Sequence, residues 1–539
     1  MIRVGWSFLV CAVACTPPRQ PATGKAAPTG ELPDGPRGSP GAPLVWAELD
    51  AATFARARAE KRFLVIDGSA EWCHWCHVME SATYHDPEVR TILDAHFIAV
   101  KVDVDTRPDF QERYQDWGWP ATVLMTSDGT EIGKYKGYLP PERFIEILTA
   151  VSTGGAAGAG EGASAANGLA TARVLDDSGL ANVESMATRQ LESFWDPVQG
   201  SWGRTQKVPL YWDNAWVLAR ARTGDVEARR RAMLTLDRQR ALVDPVWGGI
   251  CQYSTDSDWL HPHYEKLMTY EAGAIDNYAT AYGLTGDAAW LRTAQAVRGF
   301  VDGFLKGPEG GFYATMDADL NAHEPDKPFL TGHEYYAKSD TERRALGIPR
   351  VDANEYGREN GLAISAYVSL FEASRDPGAL EAARRAAARV LATHATDRGG
   401  IAHAVGDDGK VLFLADNAAF GFALARLHES THDPQLLEEA RRIGDFIVRE
   451  LEDPIAGGFF ASTPDANAVG VFAMRRKPFE DNVMAIRFLG RLTRLLSTDA
   501  YRKAIARALA VVGTRDAIED RGRMLGDLLL AIDETRSLR

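Results

Sequence analysis

A chain of 539 residues is too long for one ordinary hydrophobic core, so at least two domains are expected. With 45% hydrophobic and 25% charged residues the composition is that of a globular protein. A formal net charge of −14 favours solubility and argues against a nucleic-acid surface, and no polybasic tail or basic–aromatic stripe is present.

At the N-terminus Trp6 to Ala14 is strongly apolar and follows Arg3. This run is too short to span a bilayer and reads as a bacterial secretion signal. Ala12-Val13-Ala14-Cys15 resembles a lipoprotein signal box, so residues 1–15 are expected to be a signal peptide with a lipid anchor on Cys15. That places the protein in the cell envelope on the periplasmic side, with the anchor as its only membrane link. A soluble periplasmic protein is the alternative. Residues 16–43, rich in Pro and Gly, are expected to be a flexible tether.

The next segment, 44–152, alternates. The pattern predicts a helix over 51–61, a strand over 62–67, a helix over 73–83 and another over 87–95. A strand over 97–103, a helical turn over 108–114, strands over 121–126 and 132–136, and a helix over 141–151 follow. This order predicts an α/β domain with a central sheet and helices on both faces. Between the first strand and the helix after it lies Glu71-Trp72-Cys73-His74-Trp75-Cys76-His77. A strand-to-helix handover favours a thiolate at Cys73, and His74 beside it pushes the same way. Of the remaining cysteines, Cys11 and Cys15 fall in the signal and Cys251 reads as a small buried apolar residue. An exported chain with one C-x-x-C pair fits thiol–disulfide exchange better than a disulfide-stapled scaffold. Metal binding by Cys73, Cys76, His74 and His77 would require adjacent side chains of one helical turn to converge, so neither a metal nor a cofactor is expected.

Ala70-Glu71-Trp72-Cys73 with Cys76 resembles thioredoxin. The resemblance implies that Asp67 is a buried carboxylate taking the proton of the second cysteine, with Lys101 as its partner. It further implies that Pro120 is a cis-proline facing the disulfide, that Cys73 is a nucleophile of lowered pKa, and that Cys76 resolves the mixed disulfide.

Residues 153–172 are almost entirely Gly, Ala and Ser and read as a linker. Beyond them, over 173–539, Gly-Gly followed by an apolar residue recurs at Gly248-Gly249-Ile250, Gly310-Gly311-Phe312, Gly399-Gly400-Ile401 and Gly457-Gly458-Phe459. Twelve helices are predicted, near 181–195, 212–223, 225–243, 268–284, 287–306, 359–374, 377–396, 414–429, 433–452, 480–497, 499–514 and 520–536. Six pairs with glycine loops at one end fit an all-α (α/α)6 toroid. Acidic–amide doublets open several of these helices: Asp213-Asn214, Glu359-Asn360, Asp416-Asn417 and Asp481-Asn482. Helix capping accounts for one such residue per helix. Doublets repeated around a ring, with tryptophans and tyrosines nearby, point to a crater for a sugar-like ligand. His263, Glu265, Asp317, Asp319, Asp416 and Asp481 are expected to border one concavity, with Asn360 among the crater residues and at least one carboxylate raised in pKa.

Cys73-His74-Trp75-Cys76-His77-Val78-Met79-Glu80, Val100-Lys101-Val102-Asp103, Gly118-Trp119-Pro120, Tyr138-Leu139-Pro140, His263-Tyr264-Glu265-Lys266, Asp317-Ala318-Asp319 and Asn360-Gly361-Leu362 together resemble the spermatogenesis-associated, YyaL-type family. The resemblance implies a thioredoxin-like domain followed by a six-hairpin glycosidase-like toroid. The function expected is an exported thiol–disulfide oxidoreductase acting on a protein thiol or disulfide, its toroid holding a carbohydrate-like molecule. A carbohydrate-active enzyme, either a sugar epimerase or a glycoside hydrolase, with a non-redox thioredoxin scaffold is the alternative. A pure binding protein is the third.

Overall fold

The computed structural model describes residues 44–154, 174–324 and 326–538. The expected signal and tether, and nearly all of the expected linker, lie outside the described residues.

The first domain runs α1 (Ala51–Glu60), β1 (Phe63–Ser69), α2 (His74–Val78), α3 (Pro87–His96), β2 (Phe97–Asp103), α4 (Pro108–Tyr114), β3 (Ala121–Met125), β4 (Glu131–Lys136) and α5 (Pro141–Ser152). The sheet order is β2-β1-β3-β4, with β1 parallel to β2 and β3 antiparallel to both of its neighbours. Successive residues of a strand face opposite sides, and β1 feeds two cores accordingly. Leu64 and Ile66 join Phe54, Trp72 and Phe110 on one face, whereas Val65 joins Met79, Leu93 and Phe144 on the other. The helix expected over 73–83 is shorter as an α-helix, because α2 passes into a π-helical turn at Met79–Thr83. That turn carries one extra residue per hydrogen-bonded loop, a departure that apolar spacing does not reveal.

All twelve helices expected in the second domain are present. Six of them, Tyr211–Arg222, Met268–Thr285, Gly357–Ser374, Leu414–Thr431, Phe479–Leu496 and Gly526–Thr535, each pack against the next, and the last packs against the first. This closed inner ring is wrapped by six outer helices, so the domain is an (α/α)6 toroid. Three short helices, Gly332–Tyr336, Asp340–Leu346 and Arg515–Arg521, fall in connections where no apolar period marks them. Among the described residues no helix is long and apolar enough to cross a membrane.

The glycine loops and the amide doublets belong to one device. Asn360 accepts from the Phe312 N–H at 2.8 Å and donates to the Phe312 carbonyl at 3.0 Å. Asn417 does the same to Ile401, and Asn482 to Phe459. In each case the clamped residue directly follows a Gly-Gly pair. In two of the three loops the second glycine leaves room for the amide: a Cβ on Gly400 would stand 2.8 Å from Asn417 Oδ1 and one on Gly458 3.2 Å from Asn482 Oδ1. A buried amide satisfying a buried loop N–H and C=O holds the loop to the inner helix, and these groups would otherwise be costly orphans.

The ring closes on a second device. Asp213, near the start of the first inner helix, accepts from the Gly526 N–H at 2.6 Å and from the Leu525 N–H at 3.3 Å. The two helix starts approach so closely that a Cβ on Gly526 would lie 2.4 Å from Asp213 Cα.

Candidate functional site

The thioredoxin-like domain sits with α2 against the glycine-loop end of the toroid. The Ala318 N–H donates to the Trp72 carbonyl at 3.3 Å, and Arg350 pairs with Glu71 at 2.6 Å. Cys73 is the N-cap of α2, and its Sγ accepts from the Cys76 N–H at 3.2 Å. Cys73 and Cys76 are joined as a disulfide with their Cα atoms 5.3 Å apart. They are only 4% and 6% exposed. Cys251 is buried and free.

Asp67 lies on β1, the strand that leads to Cys73. Burial pushes its carboxyl up to about 7, against the field of Lys101. Parallel register places Lys101 opposite Asp67, but the ammonium bonds Glu80 at 2.7 Å. Lys101 thus reaches Asp67 through its field alone and is not the direct partner that the thioredoxin resemblance implied. Pro120 is buried, and the Trp119–Pro120 peptide is cis.

A cavity of about 470 Å³ lies between the domains. Trp72, Cys73, Trp75, Trp117 and Trp119 form its thioredoxin side, and His263, Glu265, Arg358, Glu359, His403 and Asp416 its toroid side. Tyr253, Tyr270 and Tyr356 add aromatic faces. Glu265 is ion-paired with His263 and also accepts the His74 backbone N–H at 3.4 Å. Burial disfavours a charged His263, but Glu265 outweighs it and raises the imidazole pKa. His403 Nδ1 bonds Asp416 at 3.0 Å, while its Nε2 donates to the Asp105 carbonyl of the other domain at 2.8 Å. Burial again works against the imidazolium, yet Asp416 raises His403 to about 9.

Of the seven crater residues expected from the sequence, His263, Glu265 and Asp416 border this cavity. Asp317 and Asp319 do not. Asp319 is buried under α2, where Oδ2 bonds His74 Nδ1 at 2.7 Å and His77 Nδ1 at 3.1 Å. Burial would raise its pKa, but the two imidazoles hold it well below the usual carboxylate range. Asp481 lies in a small neighbouring pocket with Glu480 and Arg358. Burial pushes its carboxyl to about 7 despite the Arg358 guanidinium. Asn360 faces no ligand space and is a loop clamp, as described above. The doublet Glu359-Asn360 instead turns Glu359 to the cavity. Arg358, Glu359 and His403 complete the site, and sequence reasoning missed them as site residues, whereas His74, singled out beside Cys73, reaches it through its backbone N–H to Glu265. Of the three missed, only Glu359 carried a signal, as the acidic half of its doublet; the others are brought together by the docking of the domains.

Residues 39–153 match the thioredoxin-type family described as "Protein of unknown function, DUF255". Spermatogenesis-associated protein 20 of Homo sapiens is 26% identical over 320 residues, covering 53% of this chain and 40% of the human protein. The Mus musculus protein of the same name is 25% identical over 370 residues, covering 62% of this chain and 47% of its own. The matched stretch thus spans less than half the length of these curated relatives. The thiol:disulfide interchange protein DsbD of Neisseria meningitidis is 30% identical over 87 residues, which is 15% of this chain and 14% of that protein. Among solved structures, a D-mannose isomerase superposes with a TM-score of 0.50 at 11% identity, covering 68% of this chain and 98% of its own. The cellobiose 2-epimerase of Spirochaeta thermophila superposes with a TM-score of 0.50 at 14% identity, covering 67% and 97%. At such identities the likeness is one of fold. The chain therefore joins a thioredoxin-like domain to a six-hairpin (α/α)6 toroid, and its similarity is to the spermatogenesis-associated family, as its motifs indicated.

Proposed function

We propose that the protein exchanges disulfides with a small, polyhydroxylated thiol held in the cavity between its two domains. The observation that carries this reading is that Cys73, one half of the disulfide, borders the same cavity as Glu265, His263 and Asp416, beside aromatic faces suited to a sugar ring. A buried disulfide beside a cavity of this size favours a small thiol over the folded protein partner expected from the cysteine motif. In the exchange, a substrate thiolate attacks Cys73 Sγ, the Cys73–Cys76 bond breaks, and its electron pair leaves on Cys76 as a thiolate. A second substrate thiolate attacks the substrate sulfur of this mixed disulfide and expels Cys73 as a thiolate. Two thiols become one disulfide, and the two electrons reside on the protein dithiol. The reverse sequence reduces a substrate disulfide.

The test uses reduced Cys76→Ser protein, in which the mixed disulfide cannot be resolved. The disulfide of 1-thio-β-D-glucose should form an adduct on the Cys73 peptide at least tenfold faster than hydroxyethyl disulfide does. Adding Glu265→Gln should erase that preference while leaving the hydroxyethyl rate unchanged. Equal rates that ignore Glu265, or no adduct from either compound, would overturn the reading.

A second reading rests on the two imidazole–carboxylate pairs, His263–Glu265 and His403–Asp416, that border one cavity. Such pairs suit proton transfer at a carbon beside a sugar carbonyl, and one protein of similar fold is a cellobiose 2-epimerase. Cellobiose incubated with the oxidised protein in D2O should then gain deuterium at C2. No uptake above that of a Glu265→Gln control would exclude it.

A further inference from the structure

On the side of α2 away from the cavity, four donor atoms from both domains meet around one point. His77 Nε2 lies 3.0 Å from the Glu71 carbonyl oxygen, and His323 Nε2 lies 2.8 Å from the same oxygen. The Asp317 Oδ2 atom lies 3.6 Å from His77 Nε2 and 3.4 Å from His323 Nε2. Ligand atoms of the two histidines and Asp317 all fall within 4.8 Å of one another. The Asp317 side chain is 2% exposed, and its Oδ2 has no hydrogen-bond partner. A buried carboxylate oxygen left orphaned and facing two imidazole nitrogens calls for a ligand that neither ring supplies at these distances.

We infer that Glu71, His77, Asp317 and His323 form a site for a divalent metal ion of the zinc class, which staples the thioredoxin-like domain to the toroid. Bonds of about 2.0–2.1 Å to a tetrahedral ion place its ligand atoms about 3.3 Å apart, and the separations of each imidazole nitrogen from the Glu71 and Asp317 oxygens, 2.8 to 3.6 Å, bracket that value. Two imidazoles, a carboxylate and a carbonyl oxygen are donors that a borderline ion accepts. The surrounding groups fit as well. His77 Nδ1 donates to Asp319 Oδ2 at 3.1 Å, the carboxylate–histidine arrangement that fixes the tautomer and orientation of a ligating ring. Asp319 is fixed in turn by the Gly332 N–H at 2.8 Å. A cleft of about 480 Å³ that includes Glu71, His77, Glu80 and His323 gives an ion a way in. The heptapeptide around the cysteines thus contributes one imidazole and one carbonyl, and the toroid loop supplies the rest. With the cysteines closed as a disulfide, neither thiol competes as a ligand.

The experiment titrates the oxidised full chain, freed of metal, with Co²⁺ and then Zn²⁺. One equivalent of Co²⁺ should give the visible absorption of a tetrahedral ion, and Zn²⁺ should displace it. His323→Gln and Asp317→Asn should each weaken uptake at least tenfold, and Asp319→Asn should weaken it by about 10- to 100-fold through the lost support of His77. His323 is 26% exposed on a loop, and glutamine keeps a donor for the Glu71 carbonyl, so metal-free His323→Gln should still unfold in one cooperative transition. Zn²⁺ should raise that transition in the wild type and not in His323→Gln. No uptake by the wild type, uptake that survives both ligand substitutions, or uptake lost only on replacing Cys73 and Cys76 would overturn the inference.

Discussion

Gly526→Ala is expected to destabilise the toroid by about 2–5 kcal/mol, measured by denaturant unfolding of the oxidised chain. The added Cβ would meet Asp213 Cα at 2.4 Å, Asp213 N at 2.6 Å and Trp212 O at 2.6 Å. All three are main-chain atoms of the first inner helix, so rotating a side chain relieves nothing. Pushing the helices apart also breaks the bond from the Gly526 N–H to Asp213, leaving a buried donor and a buried carboxyl without partners. Gly299→Ala and Gly303→Ala are the controls. Both lie inside the outer helix Ala288–Phe304, and a Cβ at either meets nothing within 4 Å. There alanine should stabilise, by up to about 1 kcal/mol, because it restricts the unfolded chain and favours helix. Equal effects at all three positions would mean that the ring does not close through Gly526.

His403→Ala is expected to loosen the docking of the two domains by about 3 kcal/mol near pH 6. The cation is held by Asp416 and holds the Asp105 carbonyl, and hydrogen bonds of a charged donor contribute about 1.5–3 kcal/mol each. The groups facing it are Asp416 and Glu359 from inner helices, His394 from an outer helix and Asp105 from the thioredoxin-like domain. Tyr356 stacks on the ring at 4.4 Å. Because its pKa rises from an ordinary 6.5 to about 9 on folding, the latch is fully present below about pH 6.5. It is lost as pH rises through 9. Wild-type stability should therefore fall between pH 7 and pH 9 by more than that of His403→Ala, with the two converging above that range. Parallel stability–pH curves would show that His403 is not a charged latch.

The sequence made the architecture legible because its signals were local. Apolar periods in helices such as Met268–Thr285, the Gly-Gly loops and the strand run Phe63 to Ile66 each act within a few residues. What remained hidden depends on contacts between distant segments. Nothing near His403 announces that it will meet Asp105, and nothing near His77 announces Asp317 or Asp319. The amide doublets misled for a physical reason: an asparagine at a helix start can serve a ligand or a neighbouring loop equally well. Asn360, Asn417 and Asn482 serve loops, whereas Glu359 and Asp416 face the cavity. Asp317 and Asp319 looked like crater acids because a toroid drawn alone leaves that loop open, and the docked domain covers it.

The seam between Gly526 and Asp213 joins positions 313 residues apart, and this sets an order of assembly during synthesis. The strands and helices of the thioredoxin-like domain lie between Ala51 and Ser152, so that domain can fold while the toroid is still being made. Five inner helices can then pack as an open arc, but the arc cannot become a ring until the segment from Gly526 to Thr535 has emerged. The cavity beside Cys73 draws its lining from Trp72 to Asp416, so it exists only once the thioredoxin-like domain has docked on the inner helices of the toroid. The docked toroid thus divides the two cysteines between separate spaces, Cys73 bordering this cavity and Cys76 the cleft on the other side of α2.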